Sequence, residues 1–195
     1  MSSSSTSAAE TRTTPVERAS LWAGKLWFWL PIAPLVALDL WSKTAVFAFL
    51  DANPARPHVV FHWTDKVRFS LVTVWNQGTI WGLGQNLHGA LVALRFVAIG
   101  VLLTFAARTL RHQRGTLVAL GVILAGAIGN LWDNLTEAEP RHLGGGGVRD
   151  FLLFEFGPRY ADFPAFNVAD SCITCGAITL AILLWRSDGA KSAHS

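Results

Sequence analysis

Residues Phe166 to Trp185 read FNVADSCITCGAITLAILLW, an apolar run headed by an asparagine and an aspartate. From Val168 to Trp185 it is long enough for a helix across about 30 Å of hydrocarbon, which takes about 17 to 20 residues. An aspartate at the mouth of such a span is costly unless it faces protein or water, so Asp170 needs a functional reason. Upstream, Val148-Arg149-Asp150-Phe151 supplies another acid in a polar segment. Two carboxyls brought together at a bilayer edge share one proton, because like charge and poor solvation disfavour double ionisation, and such a pair can activate water.

Three further apolar runs, Leu26 to Leu50, Ala90 to Ala107 and Thr116 to Trp132, have spanning length. The composition agrees: 51% of the residues are hydrophobic and 15% charged, and the mean hydropathy is +0.36, outside the balance of soluble domains. The expected fold is mainly α and integral to the membrane, one domain over 21–186 with four transmembrane helices. A Ser/Thr-rich tail over 1–20 is too polar to fold alone and is read as disordered, and 187–195 forms a second tail. The first run is too long for a signal-peptide core and lacks a cleavage pattern, so it is expected to be retained.

Cations set the orientation. Arg12, Arg18 and Lys25 precede the first span, Arg108, Arg111 and Arg114 fill the second connection, and Arg186 and Lys191 follow the last. Both termini are therefore expected in the cytosol, with Asp51 to Gly89 and Thr136 to Asn167 outside. Within the first of these, Val67 to Trp75 is β-branched and aromatic and predicts strands in a small sheet.

This orientation carries scattered polar residues to one membrane face. Asp39 lies about 20 Å along the first span, with Lys43 one turn further; Asn130 and Asp133 end the third span, and Asn167 and Asp170 begin the fourth. Bland readings stand beside each. Asp39 and Lys43 have the spacing of an intrahelical ion pair, Asp133 suits a structural hydrogen-bond acceptor, and Asn76-Gln77-Gly78 reads as a turn. Arg95 is expected to snorkel or pair with an acid, and Arg149 to pair with Asp150 and lower its pKa.

Other chemistries are poorly supported. A net charge of +3, spread among apolar runs, argues against nucleic acid as partner. His58 and His62 have no third ligand, so no metal is expected. Cys172 and Cys175 read as small core residues, and neither a serine-nucleophile motif nor a phosphate-binding loop is present.

Taken in order, Asp39-Leu40-Trp41-Ser42-Lys43, Asn76-Gln77-Gly78, Gly129-Asn130-Leu131-Trp132-Asp133, Val148-Arg149-Asp150-Phe151 and Phe166-Asn167-Val168-Ala169-Asp170 resemble the motifs of the bacterial lipoprotein signal peptidases, also called signal peptidase II. The resemblance covers Leu26 to Trp185. It implies an aspartyl endopeptidase of the bacterial inner membrane with a small extracytoplasmic β-rich cradle and a neighbouring amphipathic helix. Its substrates would be diacylglyceryl-modified prolipoproteins, cleaved before the lipidated cysteine, and it would work as a monomer in membrane lipid without a cofactor. By position, Asp150 and Asp170 become the catalytic pair, and Asp39, Lys43, Asn76, Gly78, Asn130, Asp133 and Asn167 support or line the site. The residues by themselves do not choose Asp150 over Asp133.

Two features depart from the family pattern. Asn134 stands where an arginine ordinarily follows the third-motif aspartate, with Arg141 or Arg149 as candidate replacements, and the segment from Thr136 to Gly147 is expanded. The rival readings are a catalytically inactive lipoprotein-binding relative and a small proton-coupled transporter. The transporter is weakened because the acids crowd one face and no paired repeat is visible.

Overall fold

The structure is a computed structural model that describes residues 22, 24–53, 58–63, 67–77, 88–136, 147–157 and 163–192. Its elements in chain order are α1 (Leu26–Trp29), α2 (Ile32–Ala52), β1 (His58–Trp63), β2 (Val67–Asn76), α3 (His88–Arg108), α4 (Arg114–Thr136), β3 (Val148–Phe156) and α5 (Val168–Ser192). Four helical stretches are long and apolar enough to cross a membrane: Leu26–Ala52, Gly89–Arg108, Arg114–Thr136 and Val168–Ser187.

The first stretch breaks between α1 and α2 because Pro31 has no N–H to donate and closes the next helix from its N-cap position. The break packs on α4, where a side chain at Gly121 would collide with the Phe28 carbonyl and the Pro31 ring. Helix α4 is the pillar of the bundle. It touches α1, α2, α3 and α5, and its buried face is rich in small residues, including Ala119, Gly121, Ala125, Gly126, Ala127 and Gly129. In lipid, apolar burial gives helices little reason to associate, so close backbone approach at small residues takes over. Gly126 lies under the Ala169 carbonyl and Ile173 of α5, leaving no room for a Cβ.

The two ends of the bundle differ in kind. Phe28, Ala106, Leu117, Leu120 and Leu124 form an apolar cluster at one end, where the Lys25 ammonium donates to the terminal carbonyls of α3 at Ala106 (2.6 Å) and Ala107 (2.5 Å). A cation there satisfies carbonyls the helix leaves open. At the other end a buried polar cluster, Asp39, Lys43, Asn130, Asp133, Arg149, Asp150 and Asn167, lies among buried apolar residues such as Val148, Phe151 and Ala169.

The antiparallel sheet, ordered β1-β2-β3, caps the polar end. β2 coincides with the strand expected from Val67 to Trp75. β1 and β3 lie beside it, so His58 and His62 sit on a strand, not a helix. Facing Glu155, Arg68 donates from Nε at 2.6 Å and again from Nη2. The register between β2 and β3 shifts between Leu71 and Val74, after which Val74 faces Asp150, Trp75 faces Arg149 and Asn76 faces Val148. Beyond the sheet, Phe166 bridges Leu152: its carbonyl accepts from the Phe151 and Leu152 amides at 3.1 and 2.9 Å, and its own N–H donates to Leu152 at 3.0 Å. This bridge ties the fourth and fifth motifs together immediately before α5 begins.

Cys172 is buried but Cys175 is exposed on α5, so only one of them is the core residue expected. The N-terminal tail, Gly78 and Arg141 lie outside the described residues, and no separate amphipathic helix is found among those described.

Replacing Gly126 by Val wedges α4 from α5 and is expected to lower stability by about 1–3 kcal/mol. Thermal unfolding in detergent checks this; an unchanged Tm would contradict the close contact.

Candidate active site

Each functional candidate is held by the element that carries it. Helix α5 starts with a reciprocal cap: the Asp170 N–H donates to Asn167 Oδ1 at 2.9 Å, and the Asn167 N–H donates to Asp170 Oδ2 at 3.1 Å. This is the geometry of a capping box, with Asn at the cap and Asp three residues on. It uses one oxygen of Asp170 and leaves Oδ1 to accept from Asn130 Nδ2 at 2.8 Å.

Asp150 comes from β3 and is 1% exposed. Its Oδ2 accepts from Asn76 Nδ2 at 2.9 Å, a diagonal cross-strand contact on the same sheet face. Its Oδ1 accepts from Asn167 Nδ2 at 2.6 Å. That same nitrogen lies 3.2 Å from Asn130 Oδ1, so two asparagines connect the two acids. Among the described residues, both carboxylates take their hydrogen bonds from amides.

The other acids are held differently. Lys43 Nζ, completely buried, lies 2.7 Å from Asp39 Oδ2 and 3.0 Å from Asp133 Oδ2, and donates to Asn130 Oδ1 at 3.1 Å. Asp39 Oδ1 accepts from the Ala169 N–H at 2.8 Å, which joins the first span to the head of the fourth. Gly129 permits this, since a Cβ there would strike the Asp39 carboxylate. The intrahelical Asp39–Lys43 pair therefore exists, and it also connects three helices.

Asp133 accepts from Arg149, whose Nη2 and Nε approach Oδ1 at 2.8 and 3.2 Å and whose backbone N–H approaches Oδ2 at 3.0 Å. The expected pairing of Arg149 with Asp150 is therefore wrong. Successive residues of a strand point to opposite faces, so an arginine next to an aspartate on β3 turns away from it.

The structure thus gathers Asp39, Lys43, Asn76, Asn130, Asp133, Asp150, Asn167 and Asp170 at one end of the bundle. Arg149, which the sequence reading paired with Asp150 or offered in place of the arginine absent at position 134, completes the cluster through Asp133. The signal was the charged residue at a strand position facing the end of α4, and it could be read only once β3 was known to be a strand. Arg95 on α3 lies within electrostatic reach of Asp170, Asp150 and Asp133.

Charges divide the cluster in two. Lys43 and Arg149 offset Asp39 and Asp133, whereas Asp150 and Asp170 have amide partners. Burial pushes the Asp150 carboxyl from its ordinary 3.8 up to about 7. Hydrogen bonds from Asn76 and Asn167 and the charge of Lys43 oppose the rise, and the charge of Asp170 adds to it. Desolvation wins over two amide hydrogen bonds, disfavouring the carboxylate by on the order of 4 kcal/mol. A buried acid holding its proton near neutrality beside another carboxyl has the composition of an acid–base pair.

The Asp150 carbon resonance, followed by carboxyl-labelled NMR, is expected to titrate near pH 7. In Asn76→Ala the midpoint should move up, because a hydrogen bond favouring the ionised form is lost; a downward move would contradict the assignment. Between 3.8 and about 7 the native state holds a proton that the unfolded chain releases. This stabilising contribution is full at lower pH and is lost as pH rises through about 7.

Residues 32–186 match the sequence family described as Signal peptidase (SPase) II. The lipoprotein signal peptidase of Burkholderia cenocepacia is 36% identical over 163 residues, covering 81% of this chain and 87% of its own. That of Pseudomonas paraeruginosa is 33% identical over 175 residues, 86% of this chain and 93% of its own. That of Anoxybacillus flavithermus is 27% identical over 185 residues, 89% of this chain and 99% of its own. A solved bacterial membrane enzyme shares the fold with a TM-score of 0.62 at 23% identity, over 83% of this chain and 89% of that one. With the family match running through all four membrane-spanning helices and the sheet, this multi-pass membrane protein belongs to the signal peptidase II family.

Proposed function

We propose that the chain removes signal peptides from diacylglyceryl-modified prolipoproteins, cleaving before the lipidated cysteine, with Asp150 and Asp170 as its catalytic pair. The observation that carries this reading is the contrast within one cluster: these two acids are linked through Asn130 and Asn167, while Asp39 and Asp133 are neutralised by cations. The first arrangement places two carboxyls side by side with no cation hydrogen-bonded to either among the described residues.

In the proposed reaction, the ionised member of the pair removes a proton from water, which attacks the scissile carbonyl carbon. The protonated member donates to the carbonyl oxygen. As the tetrahedral intermediate collapses, the C–N bond breaks, the amine leaves with the proton taken from water, and a hydroxyl of the intermediate returns its proton to the carboxyl that had protonated the carbonyl oxygen. The pair titrates as a unit, so the two roles belong to the dyad and exchange during the cycle. Asn130, Asn167 and Asn76 orient the carboxyls; Asp39, Lys43 and Asp133 hold the elements that bear them. Gly78 supports or lines the site by the family resemblance. The acid and base come from side chains, and the scheme uses no metal or cofactor.

The site lies at the extracytoplasmic face of the bacterial inner membrane in this reading. Lys25, Arg108, Arg111, Arg114 and Arg186 flank the opposite ends of the spans, which supports cytosolic termini. The substrate's acyl chains remain in lipid and its signal helix lies against the spans, bringing the peptide bond to the dyad. One domain over 21–186, acting as a monomer, is sufficient for this chemistry.

Purified wild type is expected to cleave a diacylglyceryl-modified precursor and to leave the unlipidated precursor intact. Asp150→Asn and Asp170→Asn should remain folded and lose turnover. Near-normal cleavage by both variants would reject the pair. Activity should also fall as pH rises past about 7, where the pair loses the proton the reaction uses.

A further inference from the structure

We infer that Arg149 is a positioning residue for the Asp150–Asp170 pair: its guanidinium, clamped on Asp133, sets where β3 delivers Asp150. The inference rests on the catalytic reading of that pair.

Arg149 is 7% exposed and Asp133 fully buried, so their charge-assisted contact is made away from water, where such bonds are strongest. The Nε and Nη2 atoms both reach Asp133 Oδ1, and the backbone N–H reaches Oδ2. Side chain and main chain of one residue thus engage both oxygens of one carboxylate. Rotation or sliding of β3 at this point would break three contacts together. Nη1 adds Thr44 Oγ1 at 3.3 Å, anchoring the same residue to α2.

The next residue is Asp150, whose side chain leaves the strand on the opposite face. With Arg149 held from behind, Asp150 is presented to Asn76 and Asn167. The Arg149 carbonyl also lies 3.4 Å from Asn167 Nδ2, the nitrogen that holds Asp150 Oδ1. Asp133 in turn contacts Lys43, Lys43 contacts Asp39, and Asp39 accepts the Ala169 N–H beside Asp170. One continuous chain of buried polar contacts therefore runs from the residue before Asp150 to the residue before Asp170. Arg149 itself makes no contact with either catalytic carboxylate among the described residues, which separates its role from catalysis.

The same geometry accounts for Asn134, the position immediately after Asp133 where an arginine was expected from the family resemblance. Here the planar cation on Asp133 comes from β3 instead of α4. Lysine is a poor substitute at such a site, because a single ammonium on a flexible stem cannot reproduce two N–H donors in a fixed plane.

The test compares wild type, Arg149→Gln, Arg149→Lys and Asp150→Asn on the lipidated precursor, with rates referred to folded protein. Arg149→Gln is expected to lower kcat roughly 10- to 100-fold, the scale of a small misplacement of reacting groups, with KM nearly unchanged. Arg149→Lys should recover only part of that loss. In an Asp133→Asn background, adding Arg149→Gln should cost less than about twofold, since the arginine acts through that carboxylate. A purely structural arginine would lower Tm and folded yield while leaving kcat per folded molecule at the wild-type value, and that result overturns the inference. Equal losses from Arg149→Gln with and without Asp133 overturn it too. Should Arg149→Gln fail to fold, Arg149→Lys decides: wild-type kcat rejects the clamp, reduced kcat at unchanged KM supports it. Asp150→Asn separates the two claims, because cleavage by that variant would sink the catalytic reading itself, whereas an inactive Asp150→Asn beside a fully active Arg149→Gln sinks only this inference.

Discussion

A buried ammonium, Lys43 Nζ, lies between the carboxylates of Asp39 and Asp133 and bonds the side chain of Asn130. The rest of the active end depends on it. Isolated charges in a low-dielectric interior are prohibitive, and removing one partner of a buried pair typically costs about 3–5 kcal/mol. Four polar positions on two spans, Asp39, Lys43, Asn130 and Asp133, are therefore locked to one another, and through Ala169 to a third span. In lipid, where apolar side chains gain nothing by meeting, this polar core and the small-residue seam along α4 are what specify the packing.

The lock has a chemical consequence. With Asp39 and Asp133 held by the two cations, the hydrogen bonds to Asp150 and Asp170 among the described residues come from amides, which orient a carboxyl without neutralising it. Burial pushes the Asp150 carboxyl up to about 7, the property that the proposed acid–base role requires. Reciprocal capping at Asn167 and Asp170 shows the same economy: the interaction that starts α5 also aims one of its two acids.

Much of this was legible from residue types and spacing. Four apolar runs were visible because a spanning helix requires an uninterrupted stretch of its own sequence, and Asp39 with Lys43 declared a pair by their separation. Val67 to Trp75 announced β2 by its β-branched and aromatic content. β3 was harder to see: Arg149, Asp150 and Glu155 interrupt its apolar residues, and its partners lie across the sheet, not along the chain. The same non-locality hid the Arg149–Asp133 contact and suggested a pairing with Asp150 that alternation along a strand forbids. The choice of Asp150 over Asp133 needed distances, since only the partners reveal which acid has been neutralised. Tertiary contacts between distant segments are what sequence periodicity does not encode.

The central claim is that Asp150 holds a proton in this polar core up to about pH 7. Infrared difference spectroscopy of the protein in bilayers, just below neutral pH, reads it directly through the carbonyl stretch of a protonated carboxyl. The account predicts a band that disappears in Asp150→Asn and persists in Asp133→Asn and Asp39→Asn. A band that persists in Asp150→Asn and disappears in Asp133→Asn would contradict it.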